Sequence, residues 1–230
     1  MAESELQNNQ EIQEQQESQE KQQNEPPFSL KTLLFDLFDI AEAVCISVFV
    51  MILIFAYLLR PVTVDGSSMN PTLYDADKLI MWSLGYTPQI GDIVIIDDDK
   101  AGHFTDATQQ SVEITDGMGI RLVKRVIAVG GQTIDINFDT GEVTRDGVVL
   151  DEPYIAELTK RDDYAFTYPI TIPEGYVFVM GDNRMHSSDS RNPLVALVPE
   201  EQVIGHAVVR FSREDDLCTS WKDNFGVLTK

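Results

Sequence analysis

One long apolar run near the start of the chain stands out from polar surroundings. From Phe28 the apolar positions follow a helical period, and residues 43–59 form an uncharged run long enough to span hydrocarbon. Arg60 and Pro61 end this run, because proline cannot continue a helix. A cleaved signal peptide and a buried globular helix are the alternatives, but no basic segment precedes the run and no small-residue cleavage site follows it. We therefore predict an amphipathic lead-in and one transmembrane helix over residues 28–60.

Beyond Pro61 the pattern changes to short runs rich in valine and isoleucine, separated by turn signals such as Asp146-Gly147. The predicted strands are residues 62–64, 78–82, 92–96, 120–129, 133–136, 143–145, 148–150, 176–180 and 203–211. Many short strands with few helical stretches predict a mainly β, barrel-like domain over residues 61–215. The polar segment 97–119 is predicted to be a surface insertion between two strands, and residues 216–230 a C-terminal tail.

The composition restricts the partners of this domain. The formal net charge is −21, with 17 basic against 38 acidic residues, which argues against binding to nucleic acid. It also argues against electrostatic docking on anionic lipid, so apolar burial must hold the chain at a membrane. Residues 1–27 are rich in Gln, Glu, Asn and Ser and are predicted to be a disordered tail. No Cys/His cluster has metal-ligand spacing, so no metal site is predicted.

A serine directly after the apolar run is the first candidate for chemistry. Residues 66–73 read Gly-Ser-Ser-Met-Asn-Pro-Thr-Leu, which places Ser68 between a glycine turn and a proline. Such a bend presents a hydroxyl outward and lets backbone N–H groups approach a bound carbonyl. A serine nucleophile needs this geometry, although many ordinary turns share it.

A lysine in an apolar strand is the second candidate. Residues 120–127 read Ile-Arg-Leu-Val-Lys-Arg-Val-Ile, and neighbouring residues on a strand point to opposite faces. Lys124 and Arg125 therefore cannot both face solvent. A lysine among apolar neighbours has a lowered pKa, and its neutral amine can act as a general base for a serine. The alternative is that Lys124 reaches the surface along its apolar stem.

The third candidate is the loop 181–191, which follows the apolar strand 176–180 and is dense in hydrogen-bonding residues. Its charged residues could pair with one another and with Arg125, namely Asp182, Arg184, Asp189 and Arg191. Ser187 and Ser188 could hold the orientation of a neutral lysine.

Together these motifs resemble those of bacterial type I signal peptidases, the membrane-anchored serine endopeptidases of peptidase family S26 that remove signal peptides from exported proteins. The resemblance rests on residues 66–73, 91–94, 124–127 and 181–191, in the order of the family and behind an N-terminal span. It covers the anchor and essentially the whole following domain, and it is closest to the Gram-positive-like members. It implies a signal-peptidase/LexA-like β-fold behind a single transmembrane helix.

The resemblance also implies residue roles. Ser68 matches the nucleophile, Lys124 the general base, and Ser187 the hydroxyl that orients the lysine amine. Gly66 stands where some members carry a serine for the oxyanion hole, so backbone N–H groups, including that of Ser68, must serve there. The positions that match supporting ion pairs are Asp182, Arg125, Asp189 and Arg191, and those that match substrate-binding positions are Val64, Asp65 and Met69.

Further expectations follow from the family. Small residues are expected at the first and third positions before the cut, and neither metal nor cofactor is required. The implied partners are signal peptides of exported preproteins, membrane lipid and the secretion translocon. The implied location is the cell membrane, with the N-terminus in the cytoplasm and the catalytic domain outside. Met185 and His186 depart from the Asp-Asn that the family usually has there.

Three alternatives remain open from the sequence. His186 could form a Ser/His/Asp site with Asp182 or Asp189, which would leave the lysine-bearing strand unexplained. A self-cleaving LexA-like repressor would share the Ser/Lys pair and the fold, but it would carry a DNA-binding helix-turn-helix where this chain has a polar tail and a span. A non-enzymatic membrane-anchored β-domain would instead bind a partner.

Overall fold

The computed structural model describes residues 30–106, 108–109, 111–212 and 226–228, so the predicted N-terminal tail lies outside the described residues. The chain divides into two compact units, Met1–Ile52 and Leu53–Lys230. The described part of the first unit is helical.

The predicted span is a helix. Helix α1 covers Leu30–Leu53 and continues into a π-helical turn, Ile54–Leu58. Within it, Leu33–Leu58 is long and apolar enough to cross a membrane, with a mean hydropathy of 2.5. The helical segment ends two residues earlier than predicted, because Arg60 and Pro61 already belong to the first strand.

The second unit is built from antiparallel strands, which confirms the mainly β class. The strands are β1 (Leu59–Thr63), β2 (Lys78–Trp82), β3 (Ile93–Phe104), β4 (Val112–Val129), β5 (Thr133–Asn137), β6 (Glu142–Arg145), β7 (Val148–Val149), β8 (Ile170–Thr171), β9 (Tyr176–Met180), β10 (Val198–Pro199), β11 (Val203–Ser212) and β12 (Gly226–Val227). A 3₁₀ turn, Glu200–Gln202, joins β10 to β11. One sheet has the order β1-β2-β11-β3-β4-β9-β10 with β12 paired to β11, and the other has the order β7-β6-β5-β8.

Most of segment 97–119, predicted to be a surface insertion, is the distal part of the β3–β4 hairpin. Its polar sequence is held in strands by distant partners. Gly102 exchanges two backbone hydrogen bonds with Leu197, and the Gln202 amide binds the backbone of Asp99 and Lys100 at a bulge in β3. Of the predicted C-terminal tail, residues 226–228 are described, and β12 pairs with β11.

The core beneath the site is apolar and buried. One cluster joins Val64, Met69 and Leu73, which flank Ser68 in sequence, to residues of β2 and β3 such as Leu79 and Ile95. Burial of each such side chain contributes about 1.5–3 kcal/mol to stability. The chain around Ser68 is thereby fixed to the sheet on both sides of the serine.

Two strands of the large sheet carry edges without a strand partner among the described residues. β1 pairs only with β2, and β9 covers β4 only from Arg125 to Val129. The antiparallel register from β1 through β2, β11 and β3 to β4 makes β1 and β4 run in the same direction. The free edge of β1 therefore runs towards the turn that carries Ser68, and the uncovered part of β4 ends at Lys124.

Candidate active site

Ser68 lies in a fixed turn after β1. Gly66 has a φ of +89°, which favours glycine, and its N–H donates to Asp75 Oδ1 at 2.7 Å. After the serine, Met69 is 1% exposed and its carbonyl accepts from the Leu73 N–H at 2.9 Å. The turn therefore holds Ser68 half-buried at the end of the cleft rather than in solvent.

Lys124 reaches Ser68 from β4. Its side chain is 2% exposed, and Nζ donates to Ser68 Oγ at 2.9 Å and to the Val123 carbonyl at 3.0 Å. The surface alternative for this lysine does not occur. The structure thus brings the predicted nucleophile and the predicted base into direct contact across 56 residues of sequence.

Burial shifts the Lys124 amine towards its neutral form, although the ammonium still predominates at pH 7. Burial lowers the pKa of the Lys124 amine to about 8, because the ammonium loses hydration. The carboxylates of Asp189, Asp98 and Asp182 act in the opposite direction and limit the decrease. A substantial fraction of the amine is therefore free to accept a proton at mildly alkaline pH.

Arg125 points to the opposite face of β4 and is paired with Asp182. Its Nε and a terminal nitrogen donate to the two carboxylate oxygens at 2.8 and 2.6 Å, and the side chains are 3% and 0% exposed. A third hydrogen bond goes to the Gly91 carbonyl at 2.8 Å. Lys124 and Arg125 are thus both buried, each with partners of its own.

A second buried ion pair joins Asp189 and Arg191, both 0% exposed. Burial alone would raise the pKa of the Asp189 carboxyl, but the Arg191 guanidinium and the Gly181 N–H outweigh burial and lower it. The pair therefore remains charged and holds the loop 181–191 to the end of β9.

Ser187 lies beside the serine turn without bonding the lysine. Its Oγ is buried and makes no hydrogen bond of regular geometry among the described residues, while the Lys124 donors go to Ser68 and Val123. Gly181 brings the two segments close, since a Cβ there would overlap Ser187 and the Ser68 carbonyl oxygen. The Ser68 carbonyl itself accepts from the Asn183 N–H at 3.0 Å.

A cleft of about 800 Å³ ends at Ser68 and Lys124. Its walls are residues 60–68 and residues 118 and 120–124, which include the unpaired edges of β1 and β4. Val64 and Asp65, two of the residues predicted to bind substrate, line this cleft. Met69 does not, because it points into the core.

The arrangement is suited to nucleophilic catalysis. A serine hydroxyl hydrogen-bonded to a desolvated lysine amine can lose its proton to that amine as it attacks a carbonyl. The Ser68 N–H makes no hydrogen bond among the described residues and stays available to an oxyanion. The Gly66 N–H, by contrast, is occupied by Asp75.

Comparison with known proteins identifies the family of the chain. Residues 37–212 match the family model described as "Signal peptidase, peptidase S26". The chain belongs to this family. It is 35% identical over 178 residues to signal peptidase I of Bacillus licheniformis, and this alignment covers 74% of this chain and 85% of that protein. It is 38% identical over 167 residues to a probable signal peptidase I of Synechocystis, with 69% and 76% covered.

A solved structure gives a further match. The crystal structure of a signal peptidase I from Enterococcus faecalis is 27% identical, with a TM-score of 0.36, and the match covers 53% of this chain and 97% of that one. As a member of the S26 signal peptidases, the chain is an enzyme, and its apolar helix is consistent with a membrane anchor.

His186 is exposed and lines the cleft. The backbone N–H of His186 donates to the Asn183 carbonyl at 3.0 Å. Among the described residues, the His186 ring makes no hydrogen bond to Ser68, Asp182 or Asp189. The histidine site considered from the sequence is therefore not assembled.

Several contacts around Ser68 and Lys124 could not be predicted from the sequence. Thr72 donates to Asp182, and Glu152 forms a bidentate pair with the buried Arg184. Tyr154 covers the guanidinium of Arg125 at 4.0 Å. Thr72 lies in the motif 66–73, whereas the signal for Glu152 and Tyr154 is a Glu-Pro-Tyr triplet in a polar linker without periodicity.

Proposed function

We propose that this enzyme removes N-terminal signal peptides from exported preproteins by a Ser68/Lys124 dyad, cutting after Ala-x-Ala-type sites. The observation that carries the proposal is the 2.9 Å contact between Lys124 Nζ and Ser68 Oγ at the end of a cleft. Membership of the S26 family makes a preprotein the substrate to test first.

The first half-reaction forms an acyl-enzyme. Neutral Lys124 takes the Ser68 proton while Oγ attacks the scissile carbonyl carbon, and the Ser68 N–H stabilises the resulting oxyanion. The lysine ammonium then gives its proton to the leaving amine as the carbon–nitrogen bond breaks. The mature protein leaves with a free amino group, and the signal peptide remains as an ester on Ser68.

The second half-reaction restores the enzyme. Lys124 is neutral again and removes a proton from a water molecule that attacks the ester carbonyl. Collapse of the tetrahedral intermediate returns the proton to Ser68 Oγ and releases the signal peptide as a carboxylic acid. The proposed cycle uses Lys124 alternately as base and acid.

Substrate binding is assigned to the two open strand edges. A preprotein in extended form can add backbone hydrogen bonds to β1 and to the uncovered part of β4, which is the usual mode of strand addition. Val64 and Asp65 would lie beside its last residues before the cut. Side chains there must be small, because the enzyme's own core fills the space beneath Val64.

The proposed enzyme works at a membrane, with the N-terminus in the cytoplasm and residues 61–215 outside. The span ends immediately before β1, so the cleft wall begins at its end. Lipid and the secretion translocon are then the neighbours of the enzyme. In sealed vesicles of known orientation, an added protease should digest the catalytic domain only where the outer face of the membrane is exposed.

The test of the dyad is cleavage of a preprotein with an Ala-x-Ala site in lipid vesicles. Ser68→Ala and Lys124→Met should each reduce the rate by a factor on the order of 10⁴ or more. The matched controls are Ser111→Ala and Lys100→Met, because both residues are exposed and outside the cleft. No cutting by folded intact enzyme would favour the non-enzymatic alternative, and activity in Lys124→Met would refute the dyad.

A further inference from the structure

The segment 150–169 runs between β7 and β8 of the small sheet. It contacts Arg125 and Arg184 through one aromatic side chain, Tyr154, and one acidic side chain, Glu152. Tyr154 stacks on Arg125, with the guanidinium carbon 4.0 Å from the ring centroid, and its hydroxyl donates to Glu152 Oε1 at 3.0 Å. Glu152 in turn accepts from both terminal nitrogens of Arg184, at 2.9 and 2.6 Å. We propose that Tyr154, held by Glu152, is a positioning residue for the dyad.

The first step of the argument concerns Arg125, the neighbour of Lys124 on β4. Asp182 and the Gly91 carbonyl fix the plane of its guanidinium through edge contacts. Tyr154 packs against one face of the guanidinium, and no N–H group of the guanidinium points out of this face. A cation over an aromatic face is attracted by the negative face of the ring. The ring therefore restrains movement of the Arg125 guanidinium perpendicular to its plane, which the hydrogen bonds at its edge do not restrain.

The second step concerns the loop 181–191. Arg184 is 0% exposed, and besides Glu152 it donates to Thr159 Oγ1 at 2.7 Å and to the Gly181 carbonyl at 3.1 Å. Glu152 thus anchors the loop that approaches the Ser68 turn through Gly181. The same carboxylate holds the hydroxyl of Tyr154, so one side chain links the loop to the strand of Lys124.

The charges in this network balance. Arg125 and Arg184 face Asp182 and Glu152, and the tyrosine stays neutral because burial first and Glu152 next raise its pKa. The phenol is therefore a hydrogen-bond donor throughout the working pH range. None of these groups touches the cleft, so the network acts on the reaction through the separation of Lys124 Nζ and Ser68 Oγ.

The test compares Tyr154→Leu, which loses the ring, with Tyr154→Phe, which keeps it, and uses Tyr164→Leu as control because Tyr164 is 83% exposed. We expect Tyr154→Leu to lower kcat at least about tenfold with KM within about twofold, since small misplacements of reacting groups are costly. Tyr164→Leu should keep kcat within about threefold, and Tyr154→Phe, which keeps the ring but loses the hydrogen bond to Glu152, should give a kcat between those of Tyr164→Leu and Tyr154→Leu. A folded Tyr154→Leu with unchanged kcat would overturn the proposal. Tyr154→Met carries the same expectation if the leucine variant does not fold.

This inference rests on the proposed function, so a second measurement separates the two. Crystal structures of the variants should place Lys124 Nζ more than about 3.5 Å from Ser68 Oγ in Tyr154→Leu, beyond hydrogen-bond range, and keep the contact in Tyr154→Phe. An unchanged distance in Tyr154→Leu overturns the positioning role. If the intact enzyme cuts no preprotein, the proposed function fails, and the distances alone decide the role of Tyr154.

Discussion

Thr72 donates a hydrogen bond of 2.5 Å to Asp182 Oδ2, the oxygen that also accepts from Arg125 at 2.6 Å. Thr72 follows Ser68 by four residues, Arg125 follows Lys124 by one, and Asp182 lies in the loop after β9. One carboxylate therefore joins the segments that carry Ser68 and Lys124 to the loop 181–191. The Asp182 side chain is 0% exposed, so these contacts are shielded from water.

Asp182→Asn should consequently destabilise the catalytic domain. Removing one partner of a buried ion pair typically costs about 3–5 kcal/mol, because the remaining charge is left uncompensated. Urea unfolding of the membrane-anchored enzyme in detergent measures the change. Asp97→Asn is the matched control, since Asp97 pairs with Arg121 at the surface and its loss should cost about 0–1 kcal/mol. Equal effects of both variants would contradict the role given to Asp182.

The pH dependence of cleavage should follow the Lys124 amine. Its pKa is lowered to about 8, and the neutral form is the proposed base. The sign is therefore definite: kcat/KM falls as the pH decreases below about 8 and approaches a plateau above it. A rate profile between pH 5 and 10 on a fixed preprotein measures this limb. A limb centred far below pH 7 would contradict a lysine base.

Asp98→Asn should shift the decrease of kcat/KM with falling pH to a lower pH. Asp98 is buried on the same face of the sheet as Lys124 and accepts from the Met118 N–H at 3.2 Å. Its negative charge raises the pKa of the lysine, so removing the charge lowers it. Asp99→Asn is the control, because Asp99 is exposed on the following position of β3. A shift to higher pH, or the same shift in both variants, would refute this reasoning.

The strands could be predicted because apolar runs and turn signals are local. The span and the long runs of β2, β4 and β9 follow directly from such patterns. The two-residue strands β8 and β10 could not, since two residues carry no periodicity. The distal β3–β4 hairpin also escaped prediction, because its polar strands depend on partners such as Leu197 and Gln202, about 100 residues away.

The site shows the same division. The residues on recognisable motifs, such as Ser68 and Lys124, were named from the sequence, and their contact is observed. Tyr154 and Glu152 were not, because their roles depend on long-range packing against Arg125 and Arg184. Burial of a tyrosine in a polar linker has no signature in one sequence.

His186→Ala should leave cleavage within about threefold of the intact enzyme. The His186 ring lines the cleft, but no hydrogen bond among the described residues connects it with Ser68. In a Ser/His/Asp enzyme the same substitution would lower kcat by several orders of magnitude. Steady-state kinetics on the Ala-x-Ala preprotein distinguish these outcomes, with Lys124→Met measured in parallel. A large loss in His186→Ala with activity in Lys124→Met would restore the histidine alternative.

Gly181→Ala should damage both stability and catalysis. A methyl group at this position would overlap Ser187 Oγ and the Ser68 carbonyl oxygen. Because the carbonyl belongs to the turn that carries Ser68, relief of this overlap would displace Ser68. Overpacking of this kind costs about 1–3 kcal/mol, and displacement of Ser68 should lower kcat at least about tenfold. Gly226→Ala is the control, because its nearest neighbour, the Arg210 side chain, would be at an ordinary 3.7 Å. Urea midpoints and kcat for both variants decide the matter: wild-type values in Gly181→Ala would mean that the close approach of the loop to Ser68 is not required.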